Sequence, residues 1–129
     1  MALGKIKADT LEHSTAGSVD TQYVVGGSAK AHLFSKDATP SAQGVSLNIS
    51  SIADSATGNF QITLTAAMSD SNPTVNVSQY QNQALGNALV YNSTQTLSST
   101  NIPVATYNGS SAAADYTNGV ATVVHGKLA

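Results

Sequence analysis

Cleavage of a glycosidic bond needs two carboxyl groups across the bond, one of them held protonated, so the aspartates are the first residues to weigh. Asp54, Asp70 and Asp115 each stand close to Ser, Asn, Thr or Gly. Such surroundings are typical of turns, where an aspartate side chain accepts hydrogen bonds from nearby backbone amides. The pattern therefore favours a turn role over catalysis, and no GxSxG nucleophile elbow occurs in the chain.

Histidines are the next candidates, as metal ligands, because the chain has no cysteine. His13, His32 and His125 are scattered and match neither HxH nor HExxH spacing. A metal site would require identical histidines from symmetric subunits to meet on an axis, and His32 is best placed for this because it lies in phase within an expected strand. A lone strand histidine is more often packed or solvated, so we predict no metal and no other cofactor.

Tyrosines form the third group, since four of the five lie at or after residue 80, each beside an amide-rich turn. Flat aromatic faces surrounded by amide and hydroxyl groups bind neutral sugars, and they also anchor protein partners. Any one of these tyrosines could equally lie at the fringe of a β-sandwich core. As a group they are our candidate receptor or partner surface, which consists of Tyr80, Gln81, Asn82, Tyr91, Asn92, Tyr107, Asn108 and Tyr116.

Strands must position these side chains, and the clearest strand pattern flanks the segment ADSATG. Apolar residues fall on alternate positions on either side of this segment, which itself has the composition of a turn. The pattern predicts a hairpin of two strands, each with one apolar face. The two faces consist of Val45, Leu47 and Ile49 in the first strand and Phe60, Ile62 and Leu64 in the second.

Further short strands are expected on both sides of this hairpin. Gln22 to Val25 and Ala29 to Phe34 are predicted to pair through Gly26 and Gly27, because glycine allows the positive φ of a tight reversal. The alanine-rich residues 111–115 fall far short of the ~12 residues of an independent helix and predict a loop. The other predicted strands are Thr74 to Tyr80, Ala88 to Asn92, Gln95 to Leu97, Ile102 to Asn108 and Val120 to His125.

Short strands separated by turn signals, without a long segment of helical period, predict an all-β fold. We expect residues 22–129 to form a single antiparallel β-sandwich domain, jelly-roll-like in form, which suits a chain of 129 residues. Residues 1–21 are predicted to be an extended N-terminal arm. Its apolar residues fit neither the helical nor the strand period, and charged residues are dense there. Such a segment would either order against a partner or remain a flexible terminus.

Composition excludes several functional classes. Ser, Thr, Asn and Gln exceed a third of the chain while charged residues are 9%, which suits uncharged sheet faces and packed subunits better than a metabolic enzyme. Five lysines, no arginine and a net charge of −2 offer no cationic stripe, so nucleic acid is not expected as a partner. No stretch approaches the ~20 apolar residues of a membrane span and the opening lacks a secretory signal, so we expect neither membrane insertion nor ordinary export.

A resemblance covers Gly27 to about Met68. The motifs GSAKAxxxF and SxNxSSIxDxxTGxFxxxxTxAM resemble a repeating module in tail-fibre and fibre-like structural proteins of tailed bacteriophages, especially marine and cyanobacterial ones. His32 stands where that module usually has tryptophan. The resemblance implies a virion structural protein that assembles as a homotrimer with its N-terminal end facing the virion, and it implies no catalytic residue.

We therefore expect a short tail fibre, assembled in the host bacterial cytoplasm and carried on the virion tail, that is not an enzyme. Its arm would attach to tail or baseplate proteins, while several weak contacts to a host surface glycan or protein would add up to firm adhesion. The alternatives are a capsid decoration or cement protein and a small polysaccharide-degrading tail enzyme. The expected attachment residues are Leu3, Lys5, Ile6, Lys7 and Leu11.

Overall fold

Antiparallel strands dominate the computed structural model, which describes residues 7–36, 41–42, 46–79, 87–89, 96–107, 112–114 and 119–129. These residues form three antiparallel sheets and one short helix, so the predicted all-β class is confirmed. In chain order the elements are β1 (Thr10–His13), β2 (Gly17–Asp20), α1 (Thr21–Gly27), β3 (Ala29–Lys36), β4 (Ser41–Ala42), β5 (Ile49–Ala56), β6 (Asn59–Leu64), β7 (Thr74–Gln79), β8 (Asn87–Leu89), β9 (Asn101–Tyr107) and β10 (Val120–His125).

Two four-stranded sheets contribute to one apolar core. The first sheet has the order β4-β3-β10-β7 and the second the order β5-β6-β9-β8. Burial alternates along β6 and along β10, which is the pattern of strands with one face toward a core. The predicted apolar face of β6 is therefore confirmed. The buried cluster consists of Ala31, Leu33, Phe60, Ile62, Leu64, Met68, Ile102, Val104, Val120 and Val124.

The predicted hairpin around ADSATG is confirmed as β5 and β6, with a shorter turn. Ile49 lies opposite Leu64 and Ile52 opposite Ile62, with a bulge between Ile49 and Ser51 that changes the phase of the strand. The strands continue to Ala56 and Asn59, so the turn is confined to residues 57–58. The apolar face of β5 is thus carried by Ile49 and Ile52, which pack against the core cluster.

The expectation that Leu47 shares the face of Ile49 is wrong, because Asn48 interrupts the alternation with a φ of 57°. The Asn48 side chain accepts a hydrogen bond from the amide of Ala66 at 2.6 Å and donates one to the carbonyl of Ala66 at 3.1 Å. Leu47 instead forms a bridge with His32 of β3, with N to O distances of 3.0 and 3.2 Å in the two directions. Val45 lies outside the described residues.

The later predicted strands are confirmed in β7, β9 and β10, each within a residue of the expected bounds wherever the chain is described. β8 covers the start of the strand expected from Ala88. Thr96 and Leu97 are not in a strand, so that part of the predicted Gln95 to Leu97 strand is wrong. Residues 112–114 form no helix, in agreement with the predicted loop.

The helix α1 corrects the prediction of a strand over Gln22 to Val25 that reverses through two glycines. β3 is present as expected, but α1 precedes it and the two do not pair. The N-terminal arm also contains a hairpin, since β1 and β2 pair as a separate two-stranded sheet directly before α1.

Hydrogen bonds at both ends account for α1. Thr21 donates its amide to the carbonyl of Asp9 at 2.8 Å and its hydroxyl to the carbonyl of Ala8 at 2.7 Å. At the other end the amide of Ser28 donates to Val24 at 3.0 Å, and the ammonium of Lys30 donates to the carbonyl of Val25. Helix ends need such partners, and a cation near terminal carbonyls is favourable. These contacts override the strand preference of the sequence YVV.

Candidate functional site

The expected attachment residues lie in or before the β1–β2 hairpin. Leu11 of β1 is 48% exposed and lies directly opposite Val19 of β2, which is 42% exposed. The pair forms an apolar spot on one face of a two-stranded sheet, and Lys7, which precedes β1, is exposed. Leu3, Lys5 and Ile6 lie outside the described residues. Among the described residues the hairpin pairs with no third strand, and an exposed apolar pair on such a hairpin is typical of a segment that packs against something else.

The helix α1 presents a second apolar surface. Tyr23, Val24 and Val25 are all exposed, and none of the seven residues of the helix is buried. A helix this short gains little from its own hydrogen bonds and normally depends on packing for stability. The sequence did not predict this surface, because YVV followed by two glycines has the composition of a strand and a turn.

A cavity of about 630 Å³ lies between α1 and the C-terminal residues. Val25 and Leu128 supply apolar lining, and Lys30 and Lys127 supply positive charge. Nδ1 of His125 lies 3.1 Å from the carbonyl oxygen of Gly27 and links the end of β10 to the end of α1. The cavity volume lies within the usual range for ligand sites. Lys30 is half-buried and Lys127 is exposed, so the charged groups of the cavity are in contact with solvent.

The expected receptor surface is represented by one described residue. Tyr107 ends β9, is half-buried, and forms a β-bridge with Ala113. This places one predicted tyrosine at the end of an inner strand of the second sheet, opposite Asn87 of β8 and next to the 112–114 segment. The other members of the group lie outside the described residues: Tyr80, Gln81, Asn82, Tyr91, Asn92, Asn108 and Tyr116.

The aspartates divide into different roles. Asp70 accepts a hydrogen bond from the amide of Asn72 at 2.8 Å, so the predicted turn role is confirmed there. Asp54 is instead an exposed strand residue of β5 opposite Phe60, and the turn prediction is wrong for it because β5 runs two residues beyond it. Asp115 lies outside the described residues.

Histidines and other ligating groups do not gather within the described part of the chain. No set of three or more His, Cys, Asp or Glu side chains there could hold a metal ion. His32 does lie in a strand, as expected, and its side chain belongs to the phase of β3 that points away from the core. Among the described helices none is long and apolar enough to cross a membrane.

The outer face of the first sheet is a further surface, and its residues follow from the strand register. One row crosses the sheet from Leu47 through His32 and Val123 to Asn76. The next row runs from Phe34 through Ala121 to Ser78. The sequence AKAHLFSK carried a signal for this face, because apolar residues occur on both phases of the strand, as in strands covered on both faces.

The outer face of the second sheet differs in chemistry. Asn59, Gln61 and Thr63 occupy the outward phase of β6 and are half-buried. The hydroxyl of Thr63 lies 3.4 Å from Oδ1 of Asn101 on β9. Pro103 and Ala105 of β9 lie opposite Gln61 and Asn59 and are buried, so this face is polar along β6 and apolar and buried along β9. The outer face of the first sheet mixes exposed apolar side chains with amides and hydroxyls.

Comparison of the chain with protein-family models, with curated proteins and with solved structures found no match. The surfaces described above therefore have to be interpreted from their own residues. Three of them, the β1–β2 hairpin, α1 and the outer face of the first sheet, expose apolar side chains in a chain of low charge, which suits binding to other surfaces.

Proposed function

We propose that this chain is a structural protein of a bacteriophage virion, a short tail fibre that contributes to attachment to the host surface. The single observation that carries the proposal is the exposure of apolar side chains at three places on an all-β chain of low charge. Exposed apolar patches mark interaction surfaces. The resemblance of residues 27–68 to a tail-fibre module supplies the kind of assembly in which such surfaces would be covered.

The finer architecture belongs to the same proposal. Two four-stranded sheets that share one core support a β-sandwich of jelly-roll-like form over residues 22–129, with residues 1–21 as an arm. Three copies would associate as a homotrimer, since subunit burial would supplement a modest core.

In this scheme the arm attaches to tail or baseplate proteins and the domain provides adhesion without catalysis. The attachment residues are Leu3, Lys5, Ile6, Lys7 and Leu11, and exposure of the Leu11–Val19 pair supports a role for the hairpin in that contact. The tyrosine-rich group would bind a host glycan or protein, and several weak contacts per particle would add up to firm attachment.

A capsid decoration protein is the second candidate, because the same exposed hairpin pair suits an arm that clamps neighbouring shell subunits. A polysaccharide-degrading tail enzyme is the third, and it has less support because Asp54 lies on a strand and Asp70 caps a turn. The number of copies per particle distinguishes the first two candidates. A tail fibre would be present as a few trimers, and a decoration protein as many copies over the head.

Labelled antibody bound to intact particles tests the proposal. We expect label at the tail, in low copy number, and no release of reducing ends when the purified chain is incubated with host polysaccharide. Leu11→Ser should reduce incorporation into particles, whereas Leu128→Ser, which also alters an exposed leucine, should leave it unchanged. Label over the head at high copy number would contradict the tail-fibre proposal and support the capsid decoration protein.

A further inference from the structure

The cavity between α1 and the C-terminal residues has a composition unlike that of the two cavities beside the hairpin. Its volume is about 630 Å³, against about 320 Å³ for each of the others. Asp9 and Asp20 line one of the smaller cavities and Glu12 lines the other, whereas no acidic residue in the described part of the chain lines the larger one. Its wall is mostly apolar and its charged groups are two lysines. This composition fits a ligand with an apolar part and a negative charge.

The C-terminal wall of the cavity is joined to the core by backbone pairing. The carbonyl of Lys127 accepts a hydrogen bond from the amide of Ser69 at 2.7 Å. Leu128, the next residue, forms a β-bridge with the buried Met68. The Leu128 side chain is nevertheless 39% exposed. Because its backbone is already held in place, covering this side chain with a ligand would require little ordering of the protein.

The opposite wall belongs to α1 and leaves open space beside Gly26. Val25, which lines the cavity from this side, is 59% exposed. A Cβ atom at Gly26 would meet no atom within 4 Å, so the helix backbone itself borders the open volume. Nδ1 of His125, 3.1 Å from the carbonyl oxygen of Gly27, connects α1 to the end of β10. An alkyl chain between the two walls would remove Val25 and Leu128 from water, which is favourable.

Lys30 and Lys127 add positive charge where the cavity meets solvent. The ammonium group of Lys30 donates to the carbonyl of Val25 and to the hydroxyl of Ser28. Both acceptors are neutral, so no carboxylate neutralises the lysine in these contacts. An anionic head group beside the two lysines would gain attraction to them while staying in contact with water, which avoids the cost of burying a charge.

We propose that this cavity binds a single-chain anionic amphiphile of the fatty-acid type. The alkyl chain would lie between α1 and Leu128, and the carboxylate beside Lys30 and Lys127. This inference assumes neither the tail location nor the trimer of the proposed function. An anionic lipid in a membrane offers the same chemistry, and we assign the cavity to the free acid because its volume is that of a site for one small molecule.

A series of ligands tests the chemical class. Isothermal titration calorimetry of the purified chain with hexanoate, octanoate and decanoate, below the concentrations at which they form micelles, measures the contribution of the chain. Affinity should rise about threefold with each added methylene group. Octanol, which keeps the chain of octanoate without the charge, should bind at least about threefold more weakly at low salt. The chain should not sediment with phosphatidylglycerol vesicles.

Gly26→Leu tests the location, because the leucine side chain would occupy the open volume beside α1 and leucine forms helix better than glycine. We expect the affinity for decanoate to fall at least about tenfold. Gly27→Leu is the matched control. Its Cβ position is equally open, it is the next residue of the same helix, and it does not line the cavity, so its affinity should stay unchanged. Circular dichroism verifies that each variant folds.

Lys127→Glu and Lys36→Glu form a second pair of variants with the same change in net charge. Lys36 ends β3, about 20 Å along the strand from Lys30. We expect Lys127→Glu to lower the affinity for decanoate at least about fivefold and Lys36→Glu to change it by less than about twofold. If Gly26→Leu does not fold, this pair decides the location, since Lys127 is exposed.

A lack of decanoate binding, or equal affinity for octanol and octanoate, would overturn the proposal. Equal decanoate affinity in all four variants would mean that the acid binds elsewhere on the chain. Sedimentation with phosphatidylglycerol vesicles without binding of decanoate would assign the lysines to a membrane surface instead. The position of the chain in the particle is measured separately by antibody labelling and is untouched by each of these results.

Discussion

Thr122 illustrates how one hydroxyl group affects the core. It lies on β10 between Leu33 and Val77, is 2% exposed, and its Oγ1 has no hydrogen-bond partner among the described residues. A buried hydroxyl without a partner costs free energy, so we expect Thr122→Val to raise the free energy of unfolding by about 1 kcal/mol. Urea denaturation measures the change.

Thr122→Ser is the control for this prediction. It keeps the hydroxyl and removes a methyl group, so it should lower the free energy of unfolding by about 1 kcal/mol. A loss of stability with valine similar to that with serine would mean that the hydroxyl does have a partner in solution.

Asn48 shows where the residue pattern of the sequence gave the wrong face. The stretch VSLNIS alternates well, and alternation alone predicted one continuous strand face through Leu47 and Ile49. Asparagine tolerates the left-handed region better than most residues, and at φ 57° its side chain forms the two hydrogen bonds with Ala66. Those bonds join residues 18 positions apart, so no local pattern could indicate them.

At the scale of elements, the β5–β6 turn packs against the backbone of β9 and of residues 112–114. Gly58 is buried with φ +68°, and its carbonyl accepts a hydrogen bond from the amide of Thr106 at 2.7 Å. The hydroxyl of Thr106 donates to the carbonyl of Ala114 at 2.6 Å, so three segments meet here. A Cβ atom at Gly58 would lie 2.6 Å from backbone atoms of both Thr106 and Ala114.

We therefore expect Gly58→Ala to lower the free energy of unfolding by about 2 kcal/mol or more, since backbone atoms would have to move. Gly26→Ala is the matched control, because nothing lies within 4 Å of its Cβ position and alanine favours the helix. Thermal unfolding of both variants measures the difference. Equal stability of the two would show that the turn can open without cost.

Prediction from sequence succeeded for strands whose apolar and polar residues alternate, because that alternation alone identifies the face that packs in the core. β6 and β10 alternate between core and surface, and their bounds followed closely from period two. The prediction was wrong for α1, because its seven residues depend on hydrogen bonds to Ala8, Asp9 and Lys30 rather than on helix propensity. The outer face of the first sheet was also missed, since it requires the pairing of β3 with β10 and β7 to bring its rows together.

At the scale of the whole molecule, the two four-stranded sheets share one core, whereas the hairpin and α1 stand outside it. None of the residues described as buried belongs to β2 or α1. Among the described residues, the hydrogen bonds of Thr21 to Ala8 and Asp9 lie within this N-terminal unit, and the exposed contact between His125 and Gly27 links it to β10. Stability in such a chain should be uneven, because local opening requires only the loss of local contacts.

Native-state hydrogen exchange tests this division on named amides. The amides of Thr21 and Ser28 bond to Asp9 and Val24, and they should exchange through local opening at a small fraction of the free energy of global unfolding. The amide of Leu64, bonded to Thr100 at 2.8 Å within the core region, should exchange only through global unfolding. The exchange of Leu64 should therefore slow in Thr122→Val while that of Thr21 stays unchanged. If both amides slow together, the N-terminal unit and the core unfold as one cooperative body.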